Sequence, residues 1–212
     1  MTNLMDGVDA RTRLERHIFN QPTLQVARAL LGKFIVRRHR GGRIAGMITE
    51  VEAYKGPRDR ASHAFGGRRT ARVAPLYADG GTAYVHLVYG LHWLLNFSTV
   101  GEGMPEGVLI RGVLAFAAAE RTLLSGPGRV GAYFRIDKRL DHTDVTQSPR
   151  LWLEDRGIRV PASRVSAGPR VGIAYAGPYW AARQWRFRID AQWSAAVSDA
   201  AFRSNRGRES RA

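Results

Sequence analysis

The chain of 212 residues contains no cysteine. Disulfides, thiolate nucleophiles and cysteine-held zinc are therefore excluded. No apolar run approaches the roughly 18 residues that a membrane-spanning helix needs, so no membrane partner is expected. The opening residues, MTNLMDGVDARTRLERH, are mixed in charge and lack the apolar stretch of a secretory signal. Acidic residues are scarce, 18 Asp+Glu against 33 Lys+Arg. Lysine is scarce too, and Lys33, Lys55 and Lys138 are the whole set. There is no Gly-x-x-x-x-Gly-Lys-Ser/Thr stretch, which excludes a P-loop, and no Ser-His-Asp order can be argued from spacing.

What remains is a strongly basic, arginine-rich chain with a formal net charge of +15 and enough apolar residues, 44%, to build a core. Arginine binds phosphate bidentately and stacks on bases, so a nucleic-acid partner is the first expectation. With no signal sequence, the expected place is the cytoplasm, in association with the nucleoid. A basic surface that merely reflects arginine usage is the plainer reading of the same charge.

The chain reads as one mixed α/β domain over 21–200, with a polar arm over 1–20 and a charged, disordered tail over 201–212. QPTLQVARALLG has Pro22 at the helix start, apolar residues at helical spacing and Gly32 as a stop. KFIVRRHRGGRIAGMITEVEAY reads as two strands around Gly41-Gly42. Residues 55–82 form a long Gly/Arg/Pro-rich loop, and long loops in compact domains are usually functional. AYVHLVYGLHW (83–93) starts as a buried strand that ends at Tyr89-Gly90, and EGVLIRGVLA (106–115) is another strand. AFAAAERTLL reads as a short helix, GRVGAYFRI as a second one, and LWLEDR, RVGIAYAG and QWRFRI as strands.

Alternation on a strand places Glu50, Glu52 and Tyr54 on one face. Two carboxylates and an aromatic, followed by a Gly-Pro break, suit a rigidly held general base facing a cleft. The plainer reading pairs both glutamates with arginines at the surface. A metal reading from Glu50, Glu52, Asp59 and His63 is also open, although their spacing matches no metal motif. His63 beside this pair offers a flat ring for a pocket wall. Gly66-Gly67-Arg68-Arg69 reads as a turn presenting two cations to phosphate.

Taken in order, EAYKGPRDRASHAFGGRRT, AYVHLVYGLHWLLN, GVLIRGV and SGPGRV resemble the alkyladenine (3-methyladenine) DNA glycosylase family, over about Gly32 to Ile189. RVGIAYAGPYW and RFRI match its closing segments. The resemblance implies a compact α/β fold with a mostly antiparallel curved sheet and flanking helices, without a helix-hairpin-helix motif. It implies a monomeric, monofunctional enzyme, with no metal or other cofactor, that removes alkylated or deaminated purines from duplex DNA. Carried over, Glu52 is the general base that activates water, and Arg111 positions that water and a phosphate. Tyr54, His63, His86 and Asn96 belong to the base pocket. Tyr89 fills the gap left in the stack, and Arg68, Arg69 and Arg129 meet the DNA backbone. The family typically has tyrosine where this chain has His86, which bears on substrate range.

The chemistry agrees with these roles. A base inside a duplex must be rotated out, at a cost of a few kcal/mol, and an inserted side chain offsets part of it. A cationic purine is a good leaving group, and a carboxylate can both stabilise the oxocarbenium character and take a proton from water. Two other classes stay open: a non-enzymatic nucleic-acid binder, which has no need of Glu52, and a metal-dependent nuclease, which cuts the backbone.

Overall fold

The computed structural model describes residues 12–117 and 120–197. A short helix α1 (Arg16–Phe19) leads into α2 (Thr23–Leu30), which buries Val26, Ala27 and Leu30. Pro22 stands at the helix N-cap, one position before the expected place. The arm expected over 1–20 is part of the domain from Thr12 onward. Leu14 N–H donates to the Leu153 carbonyl, and Leu14 and Phe19 are buried in the core. Two apolar anchors outweigh the polar residues between them. Residues 1–11 and the expected tail, 201–212, lie outside the described residues.

Among the described residues nine strands form one antiparallel sheet: β1 (Phe34–His39), β2 (Gly42–Tyr54), β3 (Ala83–Val88), β4 (His92–Thr99), β5 (Glu106–Ala117), β6 (Glu120–Ser125), β7 (Leu151–Glu154), β8 (Val165–Gly168) and β9 (Arg186–Ile189). The main path runs β3-β4-β5-β2-β1-β7, with β6 on β5 and the β8–β9 pair on β2. The two long strands bend the sheet. β2 pairs with β1 through Met47, then passes a register irregularity between Ile48 and Val51 and pairs with β9 from Glu50. Such irregularities raise local twist and let a strand change partners. The sheet is therefore curved, and its inner face holds Ile48, Val51, Ala53, Val85, Leu95, Phe97, Val108 and Ile110 in the main core.

Three elements differ from the sequence expectation. The described residues of AFAAAERTLL form no helix: β5 continues to Ala117 and β6 pairs back on it, Gly112 opposite Ser125. Helix propensity from alanine is weak beside a ladder that also pairs β5 with β2. RVGIAYAG is a loop with a 3-10 turn at Ala174–Ala176, because Gly172 and Gly177 take φ of +74° and +87° and break the extended chain. Finally, LHWLLN turns back as β4, so β3 and β4 form a hairpin whose turn carries Tyr89 and Gly90. The expected second helix is present as α3 (Pro127–Tyr133). It sits so close to β4 that a Cβ at Gly131 would lie 2.0 Å from the Trp93 carbonyl oxygen.

Candidate active site

Register explains how the site is assembled. Tyr84 pairs with Asn96, Asn96 with Leu109, and Leu109 with Glu52, so one row of four residues crosses β3, β4, β5 and β2. Paired residues share a face, and so do residues two apart. The face opposite the core thus collects Tyr84 and His86, Leu94 and Asn96, Leu109 and Arg111, and Glu52 and Tyr54. All of these except Glu52 line a cavity of about 310 Å³, together with the loop residues Ala61–His63 and Val171–Ile173. That volume is in the range of small-ligand pockets.

Glu52 is fully buried behind this cavity. The Tyr54 hydroxyl donates to its Oε2 at 2.8 Å, and the Val171 backbone N–H donates to its Oε1 at 2.8 Å. Arg111 Nε lies 3.4 Å from the same Oε1 and 3.3 Å from Glu50 Oε1. Burial raises the Glu52 pKa above the usual carboxylate value, and Arg111, the Val171 N–H, the Tyr54 hydroxyl and Arg170 hold the rise in check. A carboxylate so placed is ionisable and more basic than one in water.

The pocket walls are aromatic. Tyr84 and His86 stack at 4.9 Å, and His63 meets His86 edge-on at 4.7 Å. His63 Nδ1 is 2.7 Å from the Tyr84 hydroxyl. Burial, aided by His63 and Arg72, pushes the His86 pKa down to about 3. Partial burial and the charges of Arg72 and Arg68 also lower that of His63, although its outer edge is open to solvent. The His86 ring is therefore neutral near pH 7.

Above the pocket stands the β3–β4 turn. Tyr89 and Gly90 both have positive φ, +53° and +69°, and the Leu91 N–H closes the turn on the Val88 carbonyl. Tyrosine rarely adopts this conformation, and such outliers cluster at functional sites. The turn lifts Tyr89 off the strand, so the simple parity of a regular strand does not set its direction. Its side chain is 89% exposed, and Leu91 next to it is 77% exposed.

Glu52, Tyr54, His63, His86, Asn96, Arg111 and Tyr89 thus converge. Arg68 and Arg69 lie on the exposed loop after His63, with the Arg69 guanidinium 4.1 Å over the Tyr77 ring. Arg129 is exposed on α3, whose first residue, Pro127, borders the cavity. Asp59 does not join them. Its carboxylate accepts two bonds from the buried Arg170 guanidinium, at 2.5 and 2.9 Å, and one each from the Lys55 and Ala61 N–H groups. Its lone pairs are spent within the fold, and no group of three His, Asp or Glu suited to a metal occurs among the described residues. Glu50 lines a different cavity and also meets Arg186 at 3.5 Å.

Sequence reasoning missed Tyr84, Leu91, Val171 and Arg170. Tyr84 was within reach, being two residues from His86 on the same strand face. Arg170 packs 4.7 Å from the Tyr54 ring and 5.0 Å from that of Trp185, and it donates to the Ala53 carbonyl between Glu52 and Tyr54.

Residues 17–192 match the model of the family described as methylpurine-DNA glycosylase (MPG). The chain belongs to the methylpurine-DNA glycosylase family. Among relatives of this glycosylase family, a putative 3-methyladenine DNA glycosylase of Anaeromyxobacter dehalogenans is 42% identical over 179 residues, covering 84% of this chain and 83% of that protein. Another, from Methanocella arvoryzae, is 40% identical over 186 residues, covering 82% and 90%. The human DNA-3-methyladenine glycosylase is 35% identical over 197 residues, covering 84% of this chain and 66% of the human protein's length. Among the described residues no helix is long and apolar enough to cross a membrane.

Proposed function

We propose that this protein removes alkylated purines from duplex DNA by a water nucleophile activated by Glu52, leaving an abasic site in an uncut strand. The observation that carries this reading is a buried, basic carboxylate at the back of an aromatic cavity, beneath a hairpin tip that presents an exposed tyrosine.

The flipped purine stacks against Tyr54, His63 and His86, while Tyr89 occupies the space it leaves. Water enters beside Arg111, whose 3.4 Å contact to Glu52 is longer than the 2.8 Å bonds from Tyr54 and Val171 and the easiest to exchange. Glu52 takes a proton from this water as its oxygen bonds to the anomeric carbon. The glycosidic electron pair goes to the purine, whose positive charge is thereby cancelled. Arg68, Arg69 and Arg129 hold phosphates and fix the register of the protein on the duplex. The protein works as a monomer, next to the nucleoid, and removes deaminated purines as well.

The test is incubation with methylated duplex DNA in the presence of a chelator. Free methylated base should appear, and strands should break only after alkali treatment. Backbone cleavage that stops on chelation supports the nuclease reading instead. DNA binding with no release of base supports a binding module.

A further inference from the structure

Two hydrogen bonds locate a proton inside the pocket. Asn96 Nδ2 lies 3.1 Å from the Tyr84 carbonyl oxygen and 3.3 Å from His86 Nδ1. A carbonyl only accepts, so the amide atom facing it is the NH₂ and not the oxygen. The second hydrogen of that NH₂ then points to His86 Nδ1, which must accept it. An accepting ring nitrogen carries no proton, so the proton of the neutral imidazole is on Nε2. Among the described residues Nε2 has no hydrogen-bond partner, and it is not one of the buried polar atoms left without one. The ring itself lines the cavity. The Nε2–H group therefore opens on the space where a base would lie. Stacking on Tyr84 and the edge of His63 fix the direction in which it points.

We propose that His86 is a specificity-determining hydrogen-bond donor whose Nε2–H bonds to an acceptor atom of the extruded base, and that it extends excision to neutral, deaminated purines such as hypoxanthine. This inference rests on the base-excision reading above. A cationic alkylated purine loses charge as it departs and gains little from a donor. A neutral purine gains negative charge as the glycosidic bond breaks and its electron pair moves onto the ring. A hydrogen bond to a ring nitrogen or carbonyl oxygen then strengthens towards the transition state, which is the condition for catalysis. The imidazole keeps its proton throughout. Water supplies the oxygen that bonds to the sugar, Glu52 receives one of its protons, and solvent protonates the departed base.

The test compares single-turnover release of hypoxanthine and of 7-methylguanine from otherwise identical duplexes, for the wild type, His86→Phe and His86→Gln. The phenylalanine keeps a flat wall without a donor, and the glutamine restores an N–H. The hypoxanthine-to-7-methylguanine rate ratio should fall on the order of a hundredfold in His86→Phe, the scale for one lost transition-state donor, and recover in part in His86→Gln. Nitrogen NMR of the wild type should show His86 protonated at Nε2. An unchanged ratio, a wild type that takes 7-methylguanine but leaves hypoxanthine, or a proton on Nδ1 each overturns the inference while base excision stands. A wild type that releases neither base overturns the base-excision reading and this inference with it.

Discussion

Replacing Arg170 by Met should weaken both the fold and the catalytic base. The Arg170 and Asp59 side chains are fully buried and joined by two hydrogen bonds. Removing the cation leaves a buried carboxylate held by two backbone N–H groups alone, a change that typically costs about 3–5 kcal/mol. For a chain of this size that corresponds to a fall of about 6–20 °C in melting temperature. The Arg170 Nε is buried without a partner, so the pair is itself imperfect. Arg170→Met combined with Asp59→Leu should therefore be considerably more stable than the sum of the two single losses predicts. The charge of Arg170 also helps to hold the Glu52 pKa down. Without it that pKa rises further, and the acid limb of the excision rate, where Glu52 becomes protonated, should move to higher pH. Urea denaturation of the four proteins and a pH–rate profile of Arg170→Met are the assays. A loss below about 1 kcal/mol in Arg170→Met, or strict additivity in the double variant, refutes the view of the pair as a buried clamp. An acid limb that stays in place refutes its link to Glu52.

Other perturbations probe the DNA face. Tyr89→Ala should change stability by less than about 0.5 kcal/mol, because the side chain is almost wholly exposed. It should slow excision on the order of tenfold from duplex DNA but far less from single strands, where no stack has to be refilled; equal losses on both contradict a wedge. Removing Arg68 and Arg69 together should lower the salt slope of DNA binding by about two, which a titration of affinity against salt measures. Gly131→Ala should cost about 1–3 kcal/mol in chemical denaturation, because the new methyl group collides with the Trp93 carbonyl and pushes α3, with Arg129, away from β4. An unaffected midpoint would show that α3 can move without loss.

Much of the site was legible because it lies on regular strands. The Gly41-Gly42 signal set the β1–β2 hairpin, and alternation along β2 put Glu52 and Tyr54 on one face, where the hydrogen bond between them now lies. β4 was not legible, because LLNF is apolar on both faces and gives no period of two. The alanines near the end of β5 carried helix propensity, and only the ladders to β2 and β6 reveal Ala115 and Ala117 as strand. Arg170 is one arginine among many, and its partner Asp59 lies 111 residues away. The Val171 contact to Glu52 uses a backbone N–H, which side-chain identity does not announce. Loop–sheet pairings of this kind arise only once the chain has closed around the cavity.

The central claim is that the buried carboxylate of Glu52 activates water. Its raised pKa means that the folded protein binds this proton more tightly than the unfolded chain. The group therefore adds stability at low pH that is lost as pH rises through the raised value. Glu52→Gln, which removes the buried charge, should be at least as stable as the wild type at neutral pH and should bind DNA equally well. The decisive measurement is single-turnover release of 7-methylguanine from duplex DNA by Glu52→Gln and by the wild type. A loss of at least about a hundredfold is expected, the scale of a missing general base, with DNA affinity intact. Release within about tenfold of the wild type, on equally well-bound DNA, contradicts it.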